Sequence, residues 1–217
     1  METIKPIPLL DSVEIRVLGS LIEKSKTTPD YYPMTLNAIT LACNQKSSRK
    51  PLVQYEEEIV ISALDSLKKK GLVATSTGGG SRTIKYKQTF ELEFNFSQAE
   101  LTVLCLLFLR GPLTPGEINS NSGRLHQFAS IQSVLEVLEK LGAGEPPVVK
   151  LLPRKAGQKE TRFVHLFGEI QEWESGHQQD SPEEKPNANL ELRIEILEKE
   201  MTELKAEVEK LKKEWLG

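Results

Sequence analysis

Cysteine and histidine are scarce in this chain, and each shortage removes a class of function. Two cysteines in 217 residues cannot build the disulfide framework of a small secreted domain. Cys43 and Cys105 lie in apolar, periodic stretches, which reads as two buried free thiols in a protein of the reducing cytoplasm. The three histidines, His126, His165 and His177, stand far apart with no cysteine near them. Metal-ligand spacing is therefore absent, and no metal or cofactor is expected. No apolar run approaches the roughly 20 residues of a membrane span. The opening METIKPIPLLDSVE has no basic region leading into an apolar one, so no secretory signal is read there and no membrane partner is expected. Serine, cysteine and histidine fall into no nucleophile arrangement. The acid clusters EEE and PEEKP have no partner that would poise them for proton transfer. A non-enzyme is the expectation.

Charge is plentiful, at 27% of residues, but unevenly placed. Residues 1–168 hold 21 Lys and Arg against 17 Asp and Glu, a balance of +4, and residues 169–217 hold 7 against 14, a balance of -7. The net charge of -3 thus averages a mildly basic body and an acidic tail, and it is a poor guide to what the body binds.

Within the body one order of elements occurs twice. In LDSVEIRVLGSLIEKS, Asp11 with Glu14 three residues on makes a capping box, and Val13, Val17, Leu18, Leu21 and Ile22 recur at helical spacing. TTPDYYP ends that helix. TLNAITLACN reads as a second, short helix, and YEEEIVISALDSLKKKG as a third, with Ile59, Ile61, Ala63, Leu64 and Leu67 as its apolar positions and Gly71 as its stop. LVATSTGGGSRTIKYKQ then predicts two strands about a glycine tip. The second pass runs SQAELTVLCLLFLRG, capped by Ser97 with Glu100, then TPGEINSNS, with Thr114 as cap, Pro115 at the first helical position and Glu117 beyond. SIQSVLEVLEKLG and the hairpin PVVKLLPRKAGQKETRFVHLF complete it. The third helices share the spacing Leu64-x-x-Leu67-x-x-x-Gly71 and Leu135-x-x-Leu138-x-x-x-Gly142. Helix, helix, helix, hairpin is the order of a winged helix-turn-helix domain. The expected architecture is mainly α with small β-hairpins: a winged-helix domain over 1–92, a second over 93–168, a flexible linker over 169–188 and a coiled coil over 189–217.

Four segments carry a wider resemblance: LIEKSKTTPDYYPMTLNAITLACNQKSSRKP, GGGSR, LRGPLTPGEINSNSGRLHQFA and PRKAGQKETRFVHL. Through them the chain resembles the YceH family of uncharacterised bacterial proteins, over roughly residues 10–168. The resemblance implies the tandem winged-helix fold and says little about activity, since a fold is not a function.

A winged helix usually lays its third helix in the major groove. Here the first such helix opens with Glu56, Glu57 and Glu58, which would face a polyanion and which also suit the helix dipole. The second carries Glu136 and Glu139 with only Lys140, so neither offers a cluster that reads base edges. Cations gather on loops instead: Lys46, Arg49 and Lys50 in LACNQKSSRKP, Arg82, Lys85 and Lys87 on the first wing, and Arg154, Lys155, Lys159 and Arg162 on the second. Strand alternation puts Lys85 and Lys87 on one face, with Ile84 and Tyr86 on the other. Loop cations beside serine and glycine amides suit phosphate contacts, with solvated turns as the plainer alternative. TGGGSR lies between strands and lacks the lysine of a nucleotide-binding loop, so it reads as a wing turn. Nucleic acid, most simply DNA, is the leading partner, in a regulatory or DNA-organising role. The alternative is an adaptor that docks an unidentified protein on the acidic helices.

In the tail, Leu190, Ile194, Leu197, Met201, Leu204, Val208, Leu211 and Trp215 alternate steps of four and three. Leucine throughout one seam position, with Ile and Val among the Ile194, Met201, Val208 and Trp215 of the other, predicts a parallel coiled-coil homodimer about 39 Å long. The flanking pairs Arg193–Glu198, Glu200–Lys205 and Glu207–Lys212 are then opposite in sign. An amphipathic helix folded back on the body is the alternative.

Overall fold

A short side chain that accepts a backbone hydrogen bond marks where a helix can begin. The computed structural model describes residues 6–77, 83–154 and 160–168, and in it such residues open five helices. Helix α1 (Ser12–Thr27) starts on Asp11, α2 (Leu36–Cys43) on Thr35, α5 (Gln98–Arg110) on Ser97, α6 (Pro115–Ser122) on Thr114 and α7 (Ile131–Ala143) on Ser130. The expected capping boxes at Asp11, Ser97 and Thr114 all form, and Ser130 with Ser133 makes a fourth. Helix α3 (Glu57–Lys69) ends as anticipated at Gly71, whose φ is +74°. There the Leu72 amide donates to Leu67 and the Gly71 amide to Lys68, a Schellman closure that a glycine allows without strain.

The order repeats. Helices α1, α2 and α3 lead to the antiparallel strands β1 (Val73–Thr77) and β2 (Ile84–Gln88). Helices α5, α6 and α7 lead to β3 (Val149–Leu151) and β4 (Phe163–His165). The repeat extends to a detail that no sequence pattern announces. In each half the residue before the second helix's threonine cap bridges the hairpin, Met34 to Tyr86 and Leu113 to Phe163. Among the described residues the fold is thus mainly α, with seven helices and two two-stranded sheets. None of these helices is long and apolar enough to cross a membrane.

Helices α1 and α5 are central. Residues 14–22 of α1 and 101–109 of α5 are buried on every side, as befits helices enclosed by others. The two helices pack on each other at Gly19. A Cβ there would stand 3.0 Å from both Leu109 Cδ2 and Phe108 Cβ, so the absence of a side chain sets how closely they approach. Cys105 Sγ donates to the Gly19 carbonyl at the same crossing (3.5 Å). A phenylalanine cluster completes the shared core: Phe90 packs against Phe94, Phe96, Phe108 and Phe167 with ring centroids 5.2–5.8 Å apart. The Leu10 amide donates to Phe167 (2.7 Å), tying the start of one half to the end of the other.

One expectation needs correction. The buried stripe of α3 is Val60, Ala63, Leu64 and Leu67, while Ile59 and Ile61 face out, 44% and 38% exposed. A short helix between the two halves, α4 (Phe90–Phe94), adds to the expected elements; it ends on Asn95 in the left-handed region and delivers Phe90 to the core. The linker and the heptad segment lie outside the described residues.

Candidate nucleic-acid interface

The loop after α2 is a closed strap. Asn44 donates from its side chain to the Tyr55 carbonyl and accepts from the Tyr55 amide, both at 2.8 Å, which pins the loop's two ends together. Ser48 takes a positive φ of 61°. The Lys50 amide donates to the Leu109 carbonyl at the end of α5 (2.8 Å). Two guanidiniums hold the strap from beneath. Arg16 of α1 donates to the carbonyls of Cys43 and Pro51. Arg49 turns inward, donating to the Ala42 carbonyl (3.1 Å) and, through both terminal nitrogens, to Glu23 of α1 at 3.0 and 2.6 Å. Its side chain has no exposure at all. Burial acts to raise the Glu23 carboxyl, but the Arg49 hydrogen bonds and charge outweigh it and hold Glu23 below its ordinary value.

Arg49 is therefore not a surface phosphate contact but an internal clamp. Lys46 and Lys50 of the same loop are exposed. On the first hairpin Tyr86 is buried beside Met34, and alternation turns Lys85 and Lys87 the other way, opposite Ser76 and Ala74. Lys87 is exposed and Lys85 half-buried. Ile84, expected to share the face of Tyr86, is exposed near the tip. Arg82 lies outside the described residues, as do Lys155 and Lys159 and the whole heptad set Leu190, Ile194, Leu197, Met201, Leu204, Val208, Leu211 and Trp215. On the second hairpin Arg154 is exposed. Arg162 folds back, with a bidentate grip on Glu117 at 2.7 and 2.9 Å and a bond to the Pro112 carbonyl (2.9 Å), so it too is a structural tie.

A rule connects these ties. Three capping-box glutamates each accept a cation from elsewhere in their own half: Glu14 from Lys70 (2.6 Å), Glu100 from Lys140 (2.8 Å) and Glu117 from Arg162. Each thus fixes a helix start to a third helix or to a hairpin. Among the described residues, Lys46, Lys50, Lys85, Lys87 and Arg154 have no carboxylate within ion-pair distance. Lys150 on β3 and Arg124 beyond α6, which sequence reasoning passed over, are exposed as well. Lys150 could have been found as the outward member of its strand. Glu56, Glu57 and Glu58 at the start of α3 are all exposed, whereas the first turn of α7 carries no acid.

Cys43 and Cys105 are buried, and burial pushes the Cys43 thiol up to about 11 and Cys105 upward too. Among the described residues no group of three or more His, Cys, Asp or Glu side chains could hold a metal ion.

A family model described as a protein of unknown function, DUF480, matches residues 10–158, a span that takes in both three-helix units and reaches into the second hairpin. The chain belongs to the DUF480 family. Members of the UPF0502 group are similar across most of their length. One from Opitutus terrae is 48% identical over 165 residues, covering 76% of this chain and 72% of that protein. One from Shewanella woodyi is 44% identical over 211 residues, covering 91% and 96%. One from Shewanella denitrificans is 49% identical over 162 residues, covering 73% and 70%. The resemblance to an uncharacterised bacterial family is thereby upheld.

Proposed function

We propose that this DUF480 protein is a non-enzymatic nucleic-acid-binding protein, built from two winged helix-turn-helix units and paired through a coiled coil over residues 189–217. The repeated order of helices and hairpin, with a bridging residue before each second helix, supports the winged-helix reading. One observation carries the function: among the described residues, one set of cations has no carboxylate within ion-pair distance. Arg49, Lys70, Lys140 and Arg162 hold Glu23, Glu14, Glu100 and Glu117, and Lys24, Lys26 and Lys68 pair with Glu23, Glu91 and Asp65, while Lys46, Lys50, Lys85, Lys87 and Arg154 stand on loops and hairpins without such a partner. Cations so placed suit phosphate oxygens rather than base edges. The acids at the start of α3 keep that helix from close approach to a groove. Binding is then independent of sequence and falls steeply with salt. Fluorescence anisotropy of unrelated labelled duplexes tests this: the account expects equal affinities and a steep salt dependence. A strong preference for one duplex, or no binding at low salt, would contradict it.

A second reading, the adaptor, draws on the same acids. Glu56, Glu57 and Glu58 are solvent-facing on a helix that also exposes isoleucines, and that combination suits a protein partner.

A further inference from the structure

The two halves meet their hairpins through the same short sequence, and there they differ by one charge. PMTLNAI (residues 33–39) and PLTPGEI (residues 112–118) align without a gap. In both, the threonine caps the second helix and the isoleucine is fully buried. In both, the residue before the threonine exchanges two backbone hydrogen bonds with the hairpin, Met34 with Tyr86 at 3.0 and 2.7 Å and Leu113 with Phe163 at 3.1 and 2.8 Å. Residues next to such an antiparallel bridge also stand opposite each other, so Thr35 faces Lys85 as Thr114 faces Arg162. In the second half a carboxylate fills this corner. Glu117 accepts from the Thr114 amide (2.8 Å) and from both terminal nitrogens of Arg162 (2.7 and 2.9 Å). The first half has Ala38 where the second has Glu117. Among the described residues, the Thr35 amide is therefore left without an acceptor and Lys85 without a carboxylate within ion-pair distance.

We propose that the Thr35–Lys85 corner takes a backbone phosphate of nucleic acid, and that Glu117 closes the matching corner of the second half to the same ligand. This deepens the nucleic-acid reading and rests on it. Glu117 is the internal precedent: an anionic oxygen already sits between the cap amide and the hairpin cation in the second half. Thr35, Ala38 and Lys85 are each only half-buried, so the first corner is open to solvent. Lys87 stands on the same face about 7 Å along β2, exposed and likewise without a carboxylate. Two cations so spaced suit the repeated anions of a phosphate backbone better than a single carboxylate of a protein partner. The counterpart of Lys87 in the second half is Val164, fully buried, so the second hairpin offers no free cation at either position. Glu57 of α3 reaches the same turn through Asn37 (3.3 Å) but makes no ion pair with Lys85.

The test uses the full chain and unrelated labelled duplexes over a salt series. Ala38→Glu supplies the missing carboxylate at a position where a capping-box acid favours the helix, so the fold is kept. It should weaken every duplex alike and make the salt slope shallower by roughly 0.9, the share of one phosphate. Lys85→Ala should do the same alone and add nothing in the Ala38→Glu background. An acid that merely repelled the duplex would leave the Lys85 loss intact. Glu117→Ala should act in the opposite direction, freeing Arg162 and steepening the slope by a similar amount. In the isotope-labelled wild type, duplex should shift the Thr35 amide and leave Thr114 in place, and in Glu117→Ala it should shift both. The proposal is overturned if Ala38→Glu keeps the wild-type slope, if the Lys85 loss persists in full beside it, or if duplex moves Thr114 and not Thr35 in the wild type. A Thr35 shift with inorganic phosphate and none with duplex would assign the corner to a free anion and overturn it as well. If the wild type binds no duplex, the nucleic-acid reading falls and takes this proposal with it; duplex binding with unaltered slopes sinks this proposal alone.

Discussion

A single buried arginine shows how far a residue's role depends on a partner remote in sequence. In LACNQKSSRKP, Arg49 is indistinguishable from Lys46 and Lys50; all three look like loop cations. What separates it is Glu23, 26 residues earlier, which meets it beneath the strap. No local pattern announces that encounter. Arg162 and Glu117, 45 residues apart, repeat the lesson, although the capping-box role of Glu117 was legible. Glu23→Gln would leave the Arg49 charge buried without its counter-ion. Losing one partner of a buried pair costs about 3–5 kcal/mol, so a clear fall in the urea midpoint is expected, whereas Lys46→Ala should leave it in place. His165 offers a second check. It is buried against Phe108, ring centroids 4.8 Å apart, and burial pushes its pKa down to about 3. The unfolded chain takes up this proton near pH 6.5, and the native chain does not until near pH 3. Stability from this group is therefore complete above pH 6.5 and drains away as pH falls below it, by about 1.4 kcal/mol per unit. Glu14, Glu23 and Glu100 are pulled upward by burial, but their cation partners outweigh it and hold them below the ordinary carboxylate value. Their contribution is lost only at lower pH, as those carboxylates take up protons. Urea midpoints at pH 7, 6 and 5 should fall for the wild type and stay nearly level for His165→Leu.

Elements were more legible than their packing. Asp11 with Glu14, Ser97 with Glu100 and Thr114 with Glu117 announced three helix starts, because a cap is a local bond within four residues. The rotation of α3 was not legible. Ile59 and Ile61 are as apolar as Val60, and only the direction of the core, set by α1 and α2, decides which of them is buried. The five-residue α4 escaped because so short a helix gives no periodic signal. At the crossing of α1 and α5, nothing in the helical periodicity marks Gly19, yet a Cβ there would press on Phe108 and Leu109. Gly19→Val should push the two helices apart at a cost of about 1–3 kcal/mol. Since both halves share this crossing, calorimetry should show one transition moving down as a whole. Two separated transitions would mean that the halves are held together by something else.

At the scale of the whole molecule, the proposed arrangement joins a phosphate-binding surface of unpaired cations to a dimerising tail. The charge split between residues 1–168 and 169–217 was visible in the sequence, but the sorting of cations into internal ties and surface groups was not. Deleting residues 189–217 should convert a dimer into a monomer by light scattering while the thermal midpoint of the body holds; a dimer that survives the deletion would put the interface in the body. The central claim is the sorting of cations, and one measurement addresses it directly. Anisotropy of a labelled duplex, recorded over a salt series, is compared between the wild type and Lys46→Ala, Lys50→Ala, Lys85→Ala and Lys87→Ala combined. The account predicts weaker binding to every duplex alike and a salt slope shallower by roughly 0.9 for each phosphate no longer neutralised. An unchanged slope in the variant, or no duplex binding by the wild type even at low salt, would contradict it.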